Sequence, residues 1–383
     1  MEQEINYEAG ISNTGDLSRM QRLIRRAQRG KCLKIAFLGG SITQGSLASS
    51  LENCYAARVT AWWKQTFPKA DVTYINAGIG GTTSQFGCAR VQQDVLEKEP
   101  DLVIVEFSVN DERTPFFLET YEGVIRKILA SKTEPAVLIV HNVRYDDGGN
   151  AQPQHAKIAR HYRIPAVSMQ SSVYPQVVNG NIASERITPD GLHPNDYGHG
   201  LVAGVITYFL QKILADVSGA AAEEPALNEA RAGRERCKLP DPLTANKYEA
   251  ARCYQNSVRP AVVEGFLEDQ RPQKGITDTF KNGWTADQPG ARILFEIEAT
   301  EIAVQYRKSV QKPAPAARAV IDGREAEAVL LNGNFDEDWG DCLYIDTLLY
   351  HGEFKKHTVE ITILRSEQKA AVPFYLTSII ASA

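Results

Sequence analysis

Residues Lys34–Ser41 read KIAFLGGS, four apolar positions in a row closed by two glycines and a serine. A short, continuous apolar run of this kind is the pattern of a strand buried on both faces, and the small residues at its end allow an immediate tight turn. The same grammar recurs downstream: VTYINAG at Val72–Gly78, DLVIVEFSVND at Asp101–Asp111, AVLIVHNVR at Ala136–Arg144 and IPAVSM at Ile164–Met169. Helical spacing fits between these runs at 52–66, 84–98, 117–132 and 151–162, with a last amphipathic helix over Gly198–Leu214. Near the start, Met20, Leu23, Ile24 and Ala27 share one face of a first docking helix. Strands alternating with helices predict an α/β fold around a parallel sheet.

Between Ala215 and Pro242 the composition shifts to Ala, Glu, Arg and Pro, and the alternation stops. Further on, ARILFEIEATEIAVQYR, ARAVIDGR, DCLYIDTLLY, HTVEITIL and PFYLTSIIAS are strand-like and separated by Gly, Asn, Pro and Asp turns. The expected organisation is an α/β domain over 1–215, a linker over 216–242 and an antiparallel, jelly-roll-like β-sandwich over 243–383. A chain of 383 residues is long enough for two cores, since single cores stop growing at about 250–300 residues.

A net charge of −5 provides no attraction to nucleic acid or to an anionic membrane surface, so neither partner is expected. The six cysteines show no CxxC pair or metal-ligand spacing and read as reduced, mostly buried thiols. No metal and no cofactor are expected. HExxH is absent, His193 with His199 lacks ligand spacing, and His155 and His161 read as helix-surface residues. The first residues, MEQEINYEAGISNTGDLSRM, are polar, and no run reads as approaching transmembrane length; the expectation is a cytoplasmic protein.

Four strand ends carry chemistry. Ser41 closes the first strand, at the edge where ligands bind in open α/β sheets. The spacing Gly40–Gly45 mimics a phosphate loop, but Ser46 stands where its lysine belongs. Nor is this a GxSxG elbow, because position 43 is Thr. Gly78, Gly80 and Gly81 follow the second strand, where main-chain N–H groups can approach an oxyanion, or can simply turn the chain. Asn110 closes the DLVIVEF strand; its carboxamide can stabilise a developing negative oxygen by about 3 kcal/mol, or can cap a helix. Asp190-Gly-Leu-His193-Pro is a compact acid-to-base spacing in which Asp190 can orient the His193 imidazole.

Together GGSIT, NAGIGGTTS, FSVND and DGLHP resemble the four sequence blocks of the SGNH, or GDSL-like, hydrolases. The resemblance implies a flavodoxin-like three-layer fold over roughly residues 30–214, with Ser41 as nucleophile, His193 as general base and Asp190 as its orienter. The implied oxyanion hole combines the Ser41 N–H, the Gly81 N–H (Gly80 as the alternative) and the Asn110 side chain. Two departures stand out: Gly40 where the namesake family has Asp, and Ser108 where Gly is usual.

No hydrophobic lid run precedes the blocks, which favours small polar acyl substrates over lipids. In the sandwich, Asn282-Gly-Trp284-Thr and Asn332-Gly-Asn-Phe335-Asp-Glu337-Asp-Trp339 mix aromatics with amides and acids, as sugar sites do. Trp284 and Trp339 are therefore candidate sugar-binding residues, with core packing as the alternative. The architecture resembles the mannan O-acetylesterases of carbohydrate esterase family 17, whose second module resembles a family 35 carbohydrate-binding fold. The implied activity is deacetylation of hemicellulose oligosaccharides, mannan first and xylan second. A lysophospholipase or thioesterase, or a non-catalytic carbohydrate-binding protein, are the competing readings.

Overall fold

The computed structural model describes residues 5–219 and 239–383, so Cys237 and most of the 216–242 stretch lie outside the described residues. The chain forms two compact units, one from 5–84 with 91–245 and one from 85–90 with 246–383.

In the first unit the order is β1 (Ile11–Asn13), α1 (Ser18–Gln28), β2 (Leu33–Gly39), the single turn α2 (Ser41–Gln44), α3 (Tyr55–Thr66), β3 (Val72–Gly78) and the two ends of α4 (Ser84–Asp94), whose residues 85–90 fall in the second unit. Then come β4 (Leu102–Glu106), α5 (Pro115–Leu129), β5 (Ala136–His141), α6 (Gln152–His161) and β6 (Ala166–Ser168). Three short helices, α7 (Met169–Ser172), α8 (Tyr174–Val178) and α9 (Ser184–Ile187), lead to the long α10 (Asp196–Gly219). The sheet order is β1-β6-β5-β4-β2-β3, with β2 to β6 parallel. The chain leaves β2 for β3 on one side and then returns to β4 on the other. The resulting switch point, where such sheets bind ligands, lies at the carboxyl ends of β2 and β4. There Gly39 pairs with Gly78 on one flank and with Glu106 on the other.

The five apolar runs are the five parallel strands. β4 and β5 are buried along their whole length, which is why they read as continuous apolar text rather than as alternation. α1 buries Met20, Leu23, Ile24 and Ala27, the face its spacing marks out. α5 starts where Thr114 Oγ1 accepts the Phe117 N–H and Pro115 takes the first helical position, where no N–H is needed. Two features differ from the sequence reading. β1 is a sixth strand, antiparallel to β6, too short for periodicity to reveal. And α10, 24 residues long, does reach transmembrane length and apolarity, with half of its most apolar stretch buried. Its Leu201, Val202, Val205, Ile206, Phe209, Leu210 and Ile213 join the core formed with α1, α3 and the sheet, so it is apolar because it lines that core.

The second unit is an antiparallel β-sandwich. β7 (Arg252–Tyr254), β8 (Val262–Glu264), β9 (Leu267–Glu268), β10 (Trp284–Ala286), β11 (Arg292–Ala299) and β12 (Glu301–Lys308) come first. β13 (Ala316–Ile321), β14 (Val329–Asn332), β15 (Cys342–Leu349), β16 (Lys355–Ile363) and β17 (Phe374–Ser382) complete it. One sheet runs β15-β12-β17-β10-β9, with β7 also on β17; the other runs β14-β13-β16-β11-β8. Ile293, Phe295, Ile297 and Ala299 point inward from β11 at every second position, the alternation that half-buried strands require.

Candidate active site

β2 delivers Ser41 to the first position of α2, where the side chain is only 6% exposed. Its neighbour Gly40 is required by close approach: a Cβ there would stand 2.5 Å from Asn110 Oδ1. The serine hydroxyl donates to His193 Nε2 at 2.8 Å, and His193 Nδ1–H donates to Asp190 Oδ2 at 2.7 Å. Because a carboxylate only accepts, this chain fixes the tautomer that leaves Nε2 free to take the serine proton.

Asp190 and His193 share one loop between α9 and α10. Asp190 Oδ1 accepts the N–H groups of Leu192 and His193, at 2.9 and 2.7 Å, and the Thr188 hydroxyl at 3.0 Å. Partial burial works to raise its pKa, but the His193 hydrogen bond and these further donors prevail and hold it down to about 2. The loop is braced from outside by the Tyr145 N–H, which donates to the Gly191 carbonyl at 2.6 Å.

The glycine turn after β3 lies beside the serine: a Cβ on Gly80 would be 3.8 Å from Ser41 Cβ. The Gly80 N–H is committed to Gln44 Oε1 at 2.6 Å. By contrast, the N–H groups of Ser41 and Gly81 and the Asn110 carboxamide have no hydrogen-bond partner among the described residues. Gly81 takes the left-handed conformation, φ 69°, that this turn needs. Asn110 caps no helix, since α5 is capped by Thr114.

A nucleophile joined to a base and an orienter, with uncommitted donors beside it, is the arrangement of acyl-transfer enzymes. The family described as GDSL-like Lipase/Acylhydrolase matches residues 37–201. A solved two-domain esterase (CEX) active on acetylated mannans, co-crystallised with mannopentaose, is 54% identical with a TM-score of 0.92, over 100% of this chain and 99% of that one. The chain belongs to the GDSL-like lipase/acylhydrolase family. Acetylxylan esterase of Geobacillus stearothermophilus is 26% identical over 199 residues, 44% of this chain and 90% of that protein. Thioesterase 1/protease 1/lysophospholipase L1 of Escherichia coli (strain K12) is 25% identical over 190 residues, 47% of this chain and 84% of that protein. As a member of this family the chain is a serine carboxylic-ester hydrolase.

Both departures from the GDSL-like pattern have local reasons. Asn110 occupies the space that a side chain at position 40 would fill. Ser108 is buried, its Oγ lying 3.1 Å from both Glu106 Oε1 and the Asn142 carbonyl, so it ties the end of β4 to the end of β5.

Two sequence expectations are corrected. Trp284 is 0% exposed, packed edge-on against Phe295 at 5.1 Å in the sandwich core, and a ring with no free face cannot stack on a sugar. Trp339 is 53% exposed, with its indole N–H on Glu337 at 2.6 Å and its ring against Phe335. His155 is not on a helix surface: it is fully buried and donates to Asp111 Oδ2 at 3.0 Å. His161 ends α6 half-buried, its Nε2 on the Asp241 carbonyl at 2.8 Å. The sequence assigned no role to Glu106, Asp111 or His141, all of them buried; Glu106 and His141 each close an apolar run, whereas Asp111, after Ser108-Val109-Asn110, carries no such signal. Cys54, Cys88 and Cys342 are buried, Cys253 is partly covered and Cys32 is exposed.

Proposed function

We propose that this esterase is a carbohydrate O-acetylesterase acting on acetylated manno-oligosaccharides through an acyl-enzyme on Ser41. The observation that carries the reading is the unbroken chain from Asp190 through His193 to Ser41 Oγ, within a molecule 54% identical along its length to an esterase active on acetylated mannans. Ser41 Oγ attacks the acetyl carbonyl as His193 Nε2 takes its proton. The imidazolium, stabilised by Asp190, returns that proton to the departing sugar oxygen, which leaves as a hydroxyl. Water then repeats the sequence and releases acetate.

The developing oxyanion is received by the N–H groups of Ser41 and Gly81 and by the Asn110 carboxamide. Gly81 is favoured over Gly80 because the Gly80 N–H is already bound to Gln44. In the sandwich, the exposed indole of Trp339 is the aromatic face we assign to sugar stacking.

Mass spectrometry of acetylated mannan, xylan and chitin oligosaccharides, before and after enzyme, tests the substrate. Acetyl mass is expected to be lost first and most completely from mannan. The likeness to acetylxylan esterase makes preferential loss from xylan the second reading. Faster turnover of p-nitrophenyl octanoate than of p-nitrophenyl acetate would overturn both in favour of a lipid acyl hydrolase.

A further inference from the structure

Asp111 follows Asn110 directly, is buried, and uses its two carboxylate oxygens in different directions. Oδ1 accepts the N–H of Ser84 at 2.8 Å. Ser84 is the first residue of α4 and lies three positions beyond Gly81. Oδ2 accepts Nε2–H of His155, on α6, at 3.0 Å. The His155 ring is stacked on Tyr121 of α5, with centroids 3.6 Å apart and planes 8° from parallel, so its orientation is fixed by packing. One carboxylate thus joins the Asn110 turn to the chain just after the Gly81 turn, and one histidine fixes that carboxylate.

We propose that His155 is a positioning residue for ester hydrolysis, clamping Asp111 so that the Asn110 carboxamide and the Gly81 N–H are held at one separation around the oxyanion. The proposal rests on the assignment of those two groups as oxyanion donors. Withdrawing a histidine and a carboxylate from water is costly, and apolar side chains of the same volume would fill the layer without that cost. What the pair provides instead is direction. Charge-assisted hydrogen bonds fix the carboxylate tightly, and such precision matters where donors must meet an oxyanion, because misplacement by about 1 Å can lower rates about 100-fold. A clamp of this kind leaves the Ser41–His193–Asp190 chain untouched.

The test compares kcat and KM on p-nitrophenyl acetate for His155→Phe, which keeps the ring stack but cannot donate, and His155→Gln, whose amide reaches where Nε2 stood. H155F is expected to lose about 10- to 100-fold in kcat, with KM within about threefold and the midpoint of the kcat/KM pH profile unmoved. H155Q is expected to recover most of the rate. Should H155F not fold, His155→Asn, too short to reach the carboxylate, replaces it.

Asn110→Ala and the double variant N110A/H155F complete the set, and the H155F effect is expected to shrink in the N110A background. A wild-type kcat in H155F, an H155Q as slow as H155F, or full additivity with N110A would overturn the clamp. A wild-type kcat in N110A would instead overturn the assignment of Asn110 as a donor.

Discussion

Gly40 contributes by what it lacks. A methyl group at this position would meet the Asn110 amide oxygen at 2.5 Å, and since that oxygen ends a side chain, the carboxamide turns aside while the backbone stays put. Gly40→Ala is therefore expected to leave the melting temperature within a few degrees and to lower kcat on p-nitrophenyl acetate by about 10- to 100-fold, toward the loss of an oxyanion donor. An unchanged kcat would mean that Asn110 does not need that space. Asp190, held at about 2 by its donors, stays ionised throughout the range in which an imidazole titrates. Its departure from the ordinary carboxylate value adds stability above about pH 4, and that contribution is lost only as pH falls toward 2. At this scale the sequence was informative where a residue type was tied to a block. Ser41, Asn110, Asp190 and His193 could be picked out in that way, and the structure brings all four together beyond the carboxyl ends of β2 and β4. His155 could not, because a lone histidine at helical spacing looks the same on a surface as over a buried carboxylate.

Among the elements, β4 combines two properties that its apolar text concealed. It is buried from Leu102 through Glu106, and it ends on a carboxyl group with no access to water. Burial pushes the Glu106 pKa up to about 7, more than the Ser108 hydroxyl and N–H can offset by bonding the charged form. In the folded chain Glu106 keeps its proton to about pH 7, whereas in the unfolded chain it loses it near the usual carboxylate value. Folding takes up a proton between those limits, so stability falls as pH rises, by roughly 1.4 kcal/mol per unit at the steepest. Urea unfolding at pH 5 and at pH 7.5 should show a larger drop in wild type than in Glu106→Gln, which is neutral at both; equal drops would place the charge change elsewhere. β4 and β5 were the most legible of the parallel strands, because burial along their whole length forces continuous Val, Ile and Leu runs, whereas the edge strand β3 is half-exposed and its text is mixed. β1 was not legible, since Ile11-Ser-Asn13 owes its strand conformation to pairing with β6 rather than to any pattern of its own. α10 was underestimated for a related reason, since a helix lining a core carries as many apolar residues as one lining a bilayer.

On the scale of the whole molecule, the sandwich supplies a paired comparison of two tryptophans. Trp284→Ala empties a fully buried site in the sandwich core and should cost about 3–5 kcal/mol of that unit's stability. Trp339→Ala removes a half-exposed ring and should leave the melting temperature nearly unchanged while slowing deacetylation of manno-oligosaccharides more than hydrolysis of p-nitrophenyl acetate. Equal slowing on both substrates would remove Trp339 from sugar recognition. The three residues of β1 matter in a different way. Ile11 and Asn13 cover the outer edge of β6, and the Asn13 carboxamide donates to the carbonyls of Ala159 and Ile164 beside it. Stripped of that cover, β6 would present open N–H and C=O groups in a ready template for the edge of another copy. A strand remote from every reacting atom thereby becomes a guard against self-association, and trimming it should appear as turbidity at high protein concentration before it appears as lost turnover.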